Sequence, residues 1–436
     1  MVEWIKIESG TTPEEVSLDR VAWWGRGTAI NRRDFLRLSA GTALLPFGPA
    51  AWAATAEGGP KRLVVVLLRG AVDGLNVVVP YAERTYYEVR PTIAIGGPGT
   101  DQGALPLDDR FGLHPALAAL ASLWNDRKLA FVHAAGSPDS TRSHFDAQLF
   151  IENGTPGDST THDGWMNRLL AVLPGPHGPT QAVSVGPTLP QILRGSLPVA
   201  NIPLGPQAAK PTALDRPEIA RAFDRLYAGD DPLSVSYREA RQARAELLGD
   251  LADEMRRADN GAPPASGFPM EAARLARLIR RDRNIRLAFA SLGGWDTHVN
   301  QGKGKGQLAN RLKPLGDGLA ALAKGLGEDW DDTVVAVISE FGRTVHENGN
   351  GGTDHGHGNV VWVLGGNVRG GRVYGDWPGL AKPQLYQGRD LAVTTDYRSV
   401  FAAILERHLA IADDQLARIF PDLPAARSNL EDMLAA

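Results

Sequence analysis

The sequence predicts an α/β layered fold, and three observations carry that prediction. Residues 62–68, Arg-Leu-Val-Val-Val-Leu-Leu, are apolar and β-branched and run into a glycine turn, the profile of a central parallel strand buried on both faces. Similar runs recur at 129–133, 182–186, 286–292, 333–339 and 359–364. Helical patterns separate several of them, at 115–127, 164–173, 307–326 and 396–411. In sheets of this kind ligands gather at the carboxyl ends of the strands. The residues that follow each strand are therefore where chemistry is expected.

Composition narrows the class further. The chain has 436 residues, 43% of them hydrophobic and 22% charged, which argues against a disordered or fibrous protein. At roughly 150 residues per domain the length suits two or three domains, or one large α/β domain. With 50 acidic and 46 basic residues the net charge is −4, which speaks against nucleic-acid binding through a broad basic face. The sequence has no cysteine, so disulfides, zinc–thiolate sites, iron–sulfur clusters and a thiol nucleophile are excluded. Any metal must be held by His, Asp, Glu, Ser or Thr. No internal repeat is visible. Residues 215–257 and 270–284 are rich in Ala, Arg, Glu and Leu, and Asn260-Gly261-Ala262-Pro263-Pro264 divides them. They read as a helical insertion, about 215–284, packed beside the sheet, or as ordinary crossover helices.

The N-terminus carries an address. Asn31-Arg32-Arg33-Asp34-Phe35-Leu36-Arg37 resembles a bacterial twin-arginine export signal. The apolar stretch that follows, Leu38 to Trp52, is broken by Gly41, Pro46, Gly48 and Pro49 and falls short of the roughly 20 residues that span a bilayer. Ala51-Trp52-Ala53 fits a small-x-small cleavage site, so residues 1–53 are expected to be a signal peptide removed after Ala53. The mature chain, 54–436, would then reach the periplasm or the exterior through the twin-arginine machinery, with no stable membrane span. Such signals carry folded passengers, which allows a metal to be loaded in the cytoplasm.

Four polar clusters follow strands. After 62–68 comes Arg69-Gly70-Ala71-Val72-Asp73-Gly74, where Asp73 sits among small residues and could reach a metal or ligand; Asp-Gly is otherwise a turn signal. After 129–133 comes Ser140-Thr141-Arg142-Ser143-His144. A hydroxyl at a helix start favours anions, and Arg142 could hold a phosphate or sulfate bidentately, though Ser140 or Ser143 also suits a plain N-cap. After 286–292 comes Gly293-Gly294-Trp295-Asp296-Thr297-His298, a carboxylate and an imidazole suited to a divalent metal such as zinc. The strand at 333–339 ends in Ser339-Glu340-Phe341-Gly342-Arg343, and a glycine-rich loop then leads to Asp354-His355-Gly356-His357, the most specific signal in the chain.

With these residues in place, the chain resembles the bacterial family called domain of unknown function 1501. The resemblance rests on the export signal, Leu68 to Asn76, Ser143-His144-Phe145-Asp146, Gly294 to His298, Ser339 to Thr344, Asp354-His355 and Thr395-Asp396-Tyr397-Arg398. That family is similar in turn to the alkaline phosphatase and sulfatase superfamily. The similarity implies a three-layer, alkaline-phosphatase-like sandwich, its mostly parallel central sheet flanked by helices on both faces. It implies a metal ligand at Asp73 and a nucleophile at Ser143 or Thr141. Asp296 and His298 would bind a first metal, and Glu340 with His355 or His357 would serve a second. Where the superfamily places a second ligand beside the carboxylate, this chain has Phe341, which cannot bind a metal; His144 is a possible substitute. With Asp354 added, the expected metal residues are Asp73, His144, Asp296, His298, Glu340, Asp354, His355 and His357, holding zinc, or else manganese or calcium.

These expectations converge on an exported, metal-dependent hydrolase acting on a small anionic phosphate or sulfate ester. Ser143 (or Thr141) attacks, and Arg142 or Arg343 stabilises the transferring group. The alternative is a non-catalytic envelope protein that uses a degenerate metal site on the same scaffold to bind a ligand, which the Phe341 replacement would favour.

Overall fold

A computed structural model of the chain describes residues 59–202 and 259–435, apart from 176, 179 and 425–427. The expected signal peptide at 1–53 and most of the expected helical insertion lie outside the described residues. The part of the insertion that is described contains a 3-10 turn, Ala265–Gly267, that leads into the helix Phe268–Arg281.

The centre is a nine-stranded sheet. In chain order its strands are β1 (Arg62–Leu68), β2 (Leu129–Gly136), β3 (Ala182–Val185), β4 (Ala200–Ile202), β5 (Leu287–Leu292), β6 (Thr333–Ser339), β7 (Asn359–Gly365), β8 (Arg372–Tyr374) and β9 (Thr395–Asp396). Across the sheet they run β8-β2-β7-β6-β1-β5-β3-β4, and β9 pairs with β2. Every pairing is parallel except the two that β7 makes, with β2 and β6. The helices that flank it include α1 (His144–Asn153), α2 (Trp165–Val172), α3 (Phe268–Arg281), α4 (Gln307–Leu326) and α5 (Tyr397–Leu409).

Side chains along β1 alternate between two cores, which makes the architecture three-layered. Leu63, Val65 and Leu67 face Trp165, Leu169 and Leu170 of α2 and Phe401, Ile404 and Leu405 of α5. Val64, Val66 and Leu68 face Phe268, Leu275 and Ile279 of α3 and Leu312, Leu315 and Leu319 of α4. Because both faces are covered, β1 has no polar side to show, which explains its unbroken apolar run. The predicted fold class is the one observed.

The reversed direction of β7 matters most for the site. β6 ends at the carboxyl rim of the sheet, and the chain turns back there into β7, with an antiparallel bridge between Arg343 and His355. Residues 354–358 therefore lie at the same rim as the ends of β1, β2, β5 and β6, although they precede their strand. Glycines permit the crowding: a Cβ at Gly356 would lie 2.4 Å from the Arg343 backbone, and one at Gly70 (φ +112°) would lie 2.7 Å from the Asp296 nitrogen.

Three buried histidines away from the rim are held neutral. His114 and His133 each accept a backbone N–H at Nδ1, from Ala116 and Ala134, and their Nε2 atoms face the carbonyls of Lys303 and Val78. The Nε2 of His408 faces the Arg62 carbonyl. Burial lowers all three from 6.5 to about 4. On acidification the unfolded chain therefore takes up protons first. Stability is expected to fall between about pH 6.5 and pH 4, by up to about 1.4 kcal/mol per pH unit for each histidine. Urea midpoints measured across that range check this; a flat profile contradicts it.

Candidate functional site

Four donor atoms converge where β5, β6 and the approach to β7 meet the start of α1. The Oδ1 of Asp296 lies 2.9 Å from His298 Nε2, 3.4 Å from His355 Nε2 and 3.7 Å from His144 Nε2. His355 Nε2 lies 2.9 Å from His144 Nε2 and 3.0 Å from His298 Nε2. Ligands about 2.0–2.1 Å from a tetrahedral zinc are spaced by about 3.3 Å; the separations among His144, Asp296 and His355 bracket that value, and His298 flanks Asp296 and His355.

The outward-facing nitrogens set the chemistry of the inward-facing ones. His144 Nδ1 faces Glu340 Oε1 at 2.8 Å, His298 Nδ1 faces Asp354 Oδ1 at 3.1 Å, and His355 Nδ1 faces the Arg142 carbonyl at 2.9 Å. Those oxygens can only accept, so each Nδ1 carries the hydrogen. In the neutral rings the Nε2 lone pairs of His144 and His298 then face that of His355 and the Asp296 carboxylate oxygen. That arrangement is repulsive until a cation enters, and carboxylate- or carbonyl-tethered imidazoles are how proteins orient metal-binding histidines. The donor set fits a divalent metal.

The electrostatics show the same demand for positive charge beside Asp296, which a second proton on His144 can also meet. Burial pushes the Asp296 carboxyl up, but hydrogen bonds from His144, His298 and His355 and the charge of Arg343 hold it far below the usual range. Burial would lower His144, yet the hydrogen bonds and charges of Asp296 and Glu340 raise it to about 9. The Asp296 hydrogen bond likewise raises His298. Glu340 is fully buried; that burial raises its carboxyl, and His144 and the Gln148 amide overcome it and leave it lowered.

One side of the cluster is closed and the other open. Phe341 packs with Ala71 and Ala147, its ring 4.8 Å from that of His144 and 5.3 Å from that of His355. It walls the inner side, while His298 and His355 keep 37% and 19% of their side chains exposed. An open position is what distinguishes a catalytic from a purely structural metal site.

The structure thus brings together His144, Asp296, His298 and His355. The other expected residues lie elsewhere. Glu340 and Asp354 touch the cluster only through the Nδ1 atoms of His144 and His298; Glu340 also accepts from the backbone of Gly70 and from Gln148. Asp73 is buried against Arg90 at 2.6 Å and Gln301 at 2.7 Å. His357 turns to Tyr386, 4.5 Å between ring centroids. Arg343 is fully buried, donating to the carbonyls of Gly70, Ala71, Trp295 and Thr353 and to Asp296 Oδ1, so it fixes a ligand and cannot reach a substrate. Arg142 pairs with Asp390 at 2.7 Å. Ser143 caps α1, accepting from Asp146 N at 3.4 Å, and is exposed immediately before His144; the Thr141 hydroxyl accepts from Ser143 N.

Two residues without any local motif complete the frame. Gln301 donates to Asp73 and accepts from Thr297 and Thr353, tying the loop of His298 to the loop of His355. Arg90 links Asp73 to the carbonyls of Thr344 and Val345. Neither has a local motif; each is recognisable only by what the fold brings to it.

Comparison with known proteins adds a family. A family model described as protein of unknown function (DUF1501) matches residues 60–420. No curated protein matches the sequence. Among solved structures the chain is similar to the PsFucS1 sulfatase from Pseudoalteromonas sp. (13% identity, 86% of this chain and 74% of that one, TM-score 0.38). It is also similar to the C-terminal periplasmic domain of EcEptC from Escherichia coli (13% identity, 71% and 73%, TM-score 0.34). A third is the lipoteichoic acid synthase LtaP from Listeria monocytogenes (10% identity, 71% and 66%, TM-score 0.31).

Proposed function

The chain belongs to the family described as protein of unknown function (DUF1501), and from that premise we propose that it is an exported, metal-dependent hydrolase of phosphate or sulfate esters. The observation that carries this reading is the convergence of the imidazoles of His144 and His355 and the Asp296 carboxylate at an open rim, with His298 set against Asp296 and His355. Three imidazoles with one carboxylate favour zinc over the all-oxygen shells of calcium and most manganese sites. A divalent ion held by His144, Asp296, His298 and His355 supplies Lewis-acid charge for a phosphoryl or sulfuryl oxygen. The arginine pair at Arg32-Arg33 and the small-x-small site ending at Ala53 support delivery by the twin-arginine machinery to the periplasm or beyond. Among the described residues no helix is long and apolar enough to cross a membrane.

The chain's own residues divide the remaining work. Glu340, Asp354 and the Arg142 carbonyl hold the three rings, and Arg343 holds Asp296. Ser143, exposed and only weakly engaged as a cap, is the nucleophile: its oxygen bonds to phosphorus or sulfur, the ester oxygen leaves as the alcohol, and water restores the serine. Net, ester and water give alcohol and phosphate or sulfate. The Ser143→Ala variant is expected to lose turnover of aryl phosphates, diesters and sulfates while keeping its metal content, read by parallel assay and elemental analysis. Unchanged turnover removes Ser143 from the role.

One observation favours the non-catalytic alternative. The two arginines expected to meet the transferring group, Arg142 and Arg343, are both engaged by protein acceptors. A metal-loaded protein inert toward the whole ester panel would support a ligand-binding role at the same site.

A further inference from the structure

The opposite end of the sheet carries a second feature. An open cleft of about 680 Å³ lies where β2 and β8 begin and the chain leaves β7. Its volume falls inside the roughly 300–1,000 Å³ range of small-molecule sites. The eight residues of β2, at about 3.3 Å each, put roughly 25 Å of strand between it and the carboxyl rim. Its lining sets Arg127, Lys128, Arg369 and Arg372 against Asp126 and Asp432. The whole chain carries a net charge of −4, so this positive excess is local.

The four cations differ in what already holds them. Arg369 pairs with Asp432 at 3.7 Å, and the Lys128 ammonium donates to the Gly366 carbonyl. Arg127 and Arg372 make no side-chain hydrogen bond or ion pair among the described residues; the Arg372 guanidinium only overlies the Tyr374 ring, 5.0 Å from its centre. The two arginines start side by side: a Cβ at Gly371 would lie 3.2 Å from Arg127 Cγ. Their backbone is fixed, because Gly370 and Gly371 donate to the Arg127 and Leu129 carbonyls and Arg372 pairs in register with Ala130. Two adjacent guanidiniums match the oxygens of a phosphate or sulfate group. Arg127 also stands where the backbone favours glycine. The short helix Ala121–Asn125 stops in a left-handed turn, with Arg127 N donating to the Trp124 carbonyl, Lys128 N to the Leu123 carbonyl, and Arg127 at φ +57°. The fold gains no bond from an arginine side chain there, which leaves the cleft as what that side chain serves.

We infer that this cleft binds a phosphate or sulfate group carried on a larger molecule, with Arg127 and Arg372 on its oxygens. The assignment stands whether or not the protein is a hydrolase. The test is calorimetric titration of the full chain, freed of metal by chelation, with sucrose octasulfate and separately with inositol hexakisphosphate, at about 0.15 M salt. At least one is expected to bind, one molecule per chain, and the tighter of the two tells sulfate from phosphate. Arg127→Gly and Arg372→Gln should each weaken that binding about fivefold or more, and Arg127→Gly should do so with a thermal midpoint no lower than wild type. Arg280→Gln, the same loss of charge at an exposed position on α3, should leave affinity unchanged. No binding of either probe, undiminished binding by the Arg127 and Arg372 variants, or an equal loss in Arg280→Gln overturns the assignment.

Discussion

The His355→Ala variant is expected to purify without its divalent metal and without esterase activity, and to remain folded. His355 Nε2 is the hub of the cluster, within 3.4 Å of all three other donors. Its removal leaves two imidazoles and one carboxylate, and metal affinity should fall by more than the roughly 10–100-fold typical of losing an outer partner. The cost to the fold is small, because the bond that His355 makes outside the cluster, from Nδ1 to the Arg142 carbonyl, lies in a part-exposed region that water can serve. The contrast is His357→Ala, two residues away. That ring packs on Tyr386 and burial lowers its basicity, so its loss should leave metal content intact and reduce stability instead. Metal content and thermal midpoint, measured on both variants, separate the two outcomes. A His355→Ala protein with full metal would place the metal elsewhere.

The Glu340→Gln variant is expected to lower metal affinity by about 10–100-fold without unfolding the protein. Glutamine keeps the size of the side chain, and its oxygen can still accept from Gly70, His144 and Gln148, while its amide can donate to Ser339 Oγ. What disappears is the negative charge behind His144, which makes Nε2 a stronger donor to a cation. Zinc titration against a chromophoric chelator competitor reads the change. Affinity equal to wild type would mean that Glu340 only fills space. A comparable loss of thermal stability in metal-free protein would mean that its role is structural.

Much of this was legible in the chain itself. β1, β6 and the helix at 307–326 have the boundaries that hydrophobic patterning predicts, because buried parallel strands and a long amphipathic helix write strong periodic signals. The rule that ligands gather at carboxyl ends pointed to loops that the fold does bring together at one rim. The direction of β7 was not legible: an apolar run of seven residues looks alike in either sense, and direction decides whether Asp354–His357 meets His298 or lies at the opposite edge. Nor could spacing distinguish His355 from His357, or Asp296 from Asp73. Those distinctions rest on partners distant in sequence, Tyr386 for one and Arg90 for the other. Phe341 read as a missing ligand; in the fold it walls the rings, and His144, arriving from α1, stands in the cluster.

The proposed function requires that the imidazole cluster and Asp296 hold a metal. Elemental analysis of untagged protein, purified without chelator, tests it most directly. About one divalent ion per chain is expected, zinc foremost, removed by chelation and restored by dialysis. Protein that contains no divalent metal as isolated, and takes up none from a zinc-containing buffer, would contradict it.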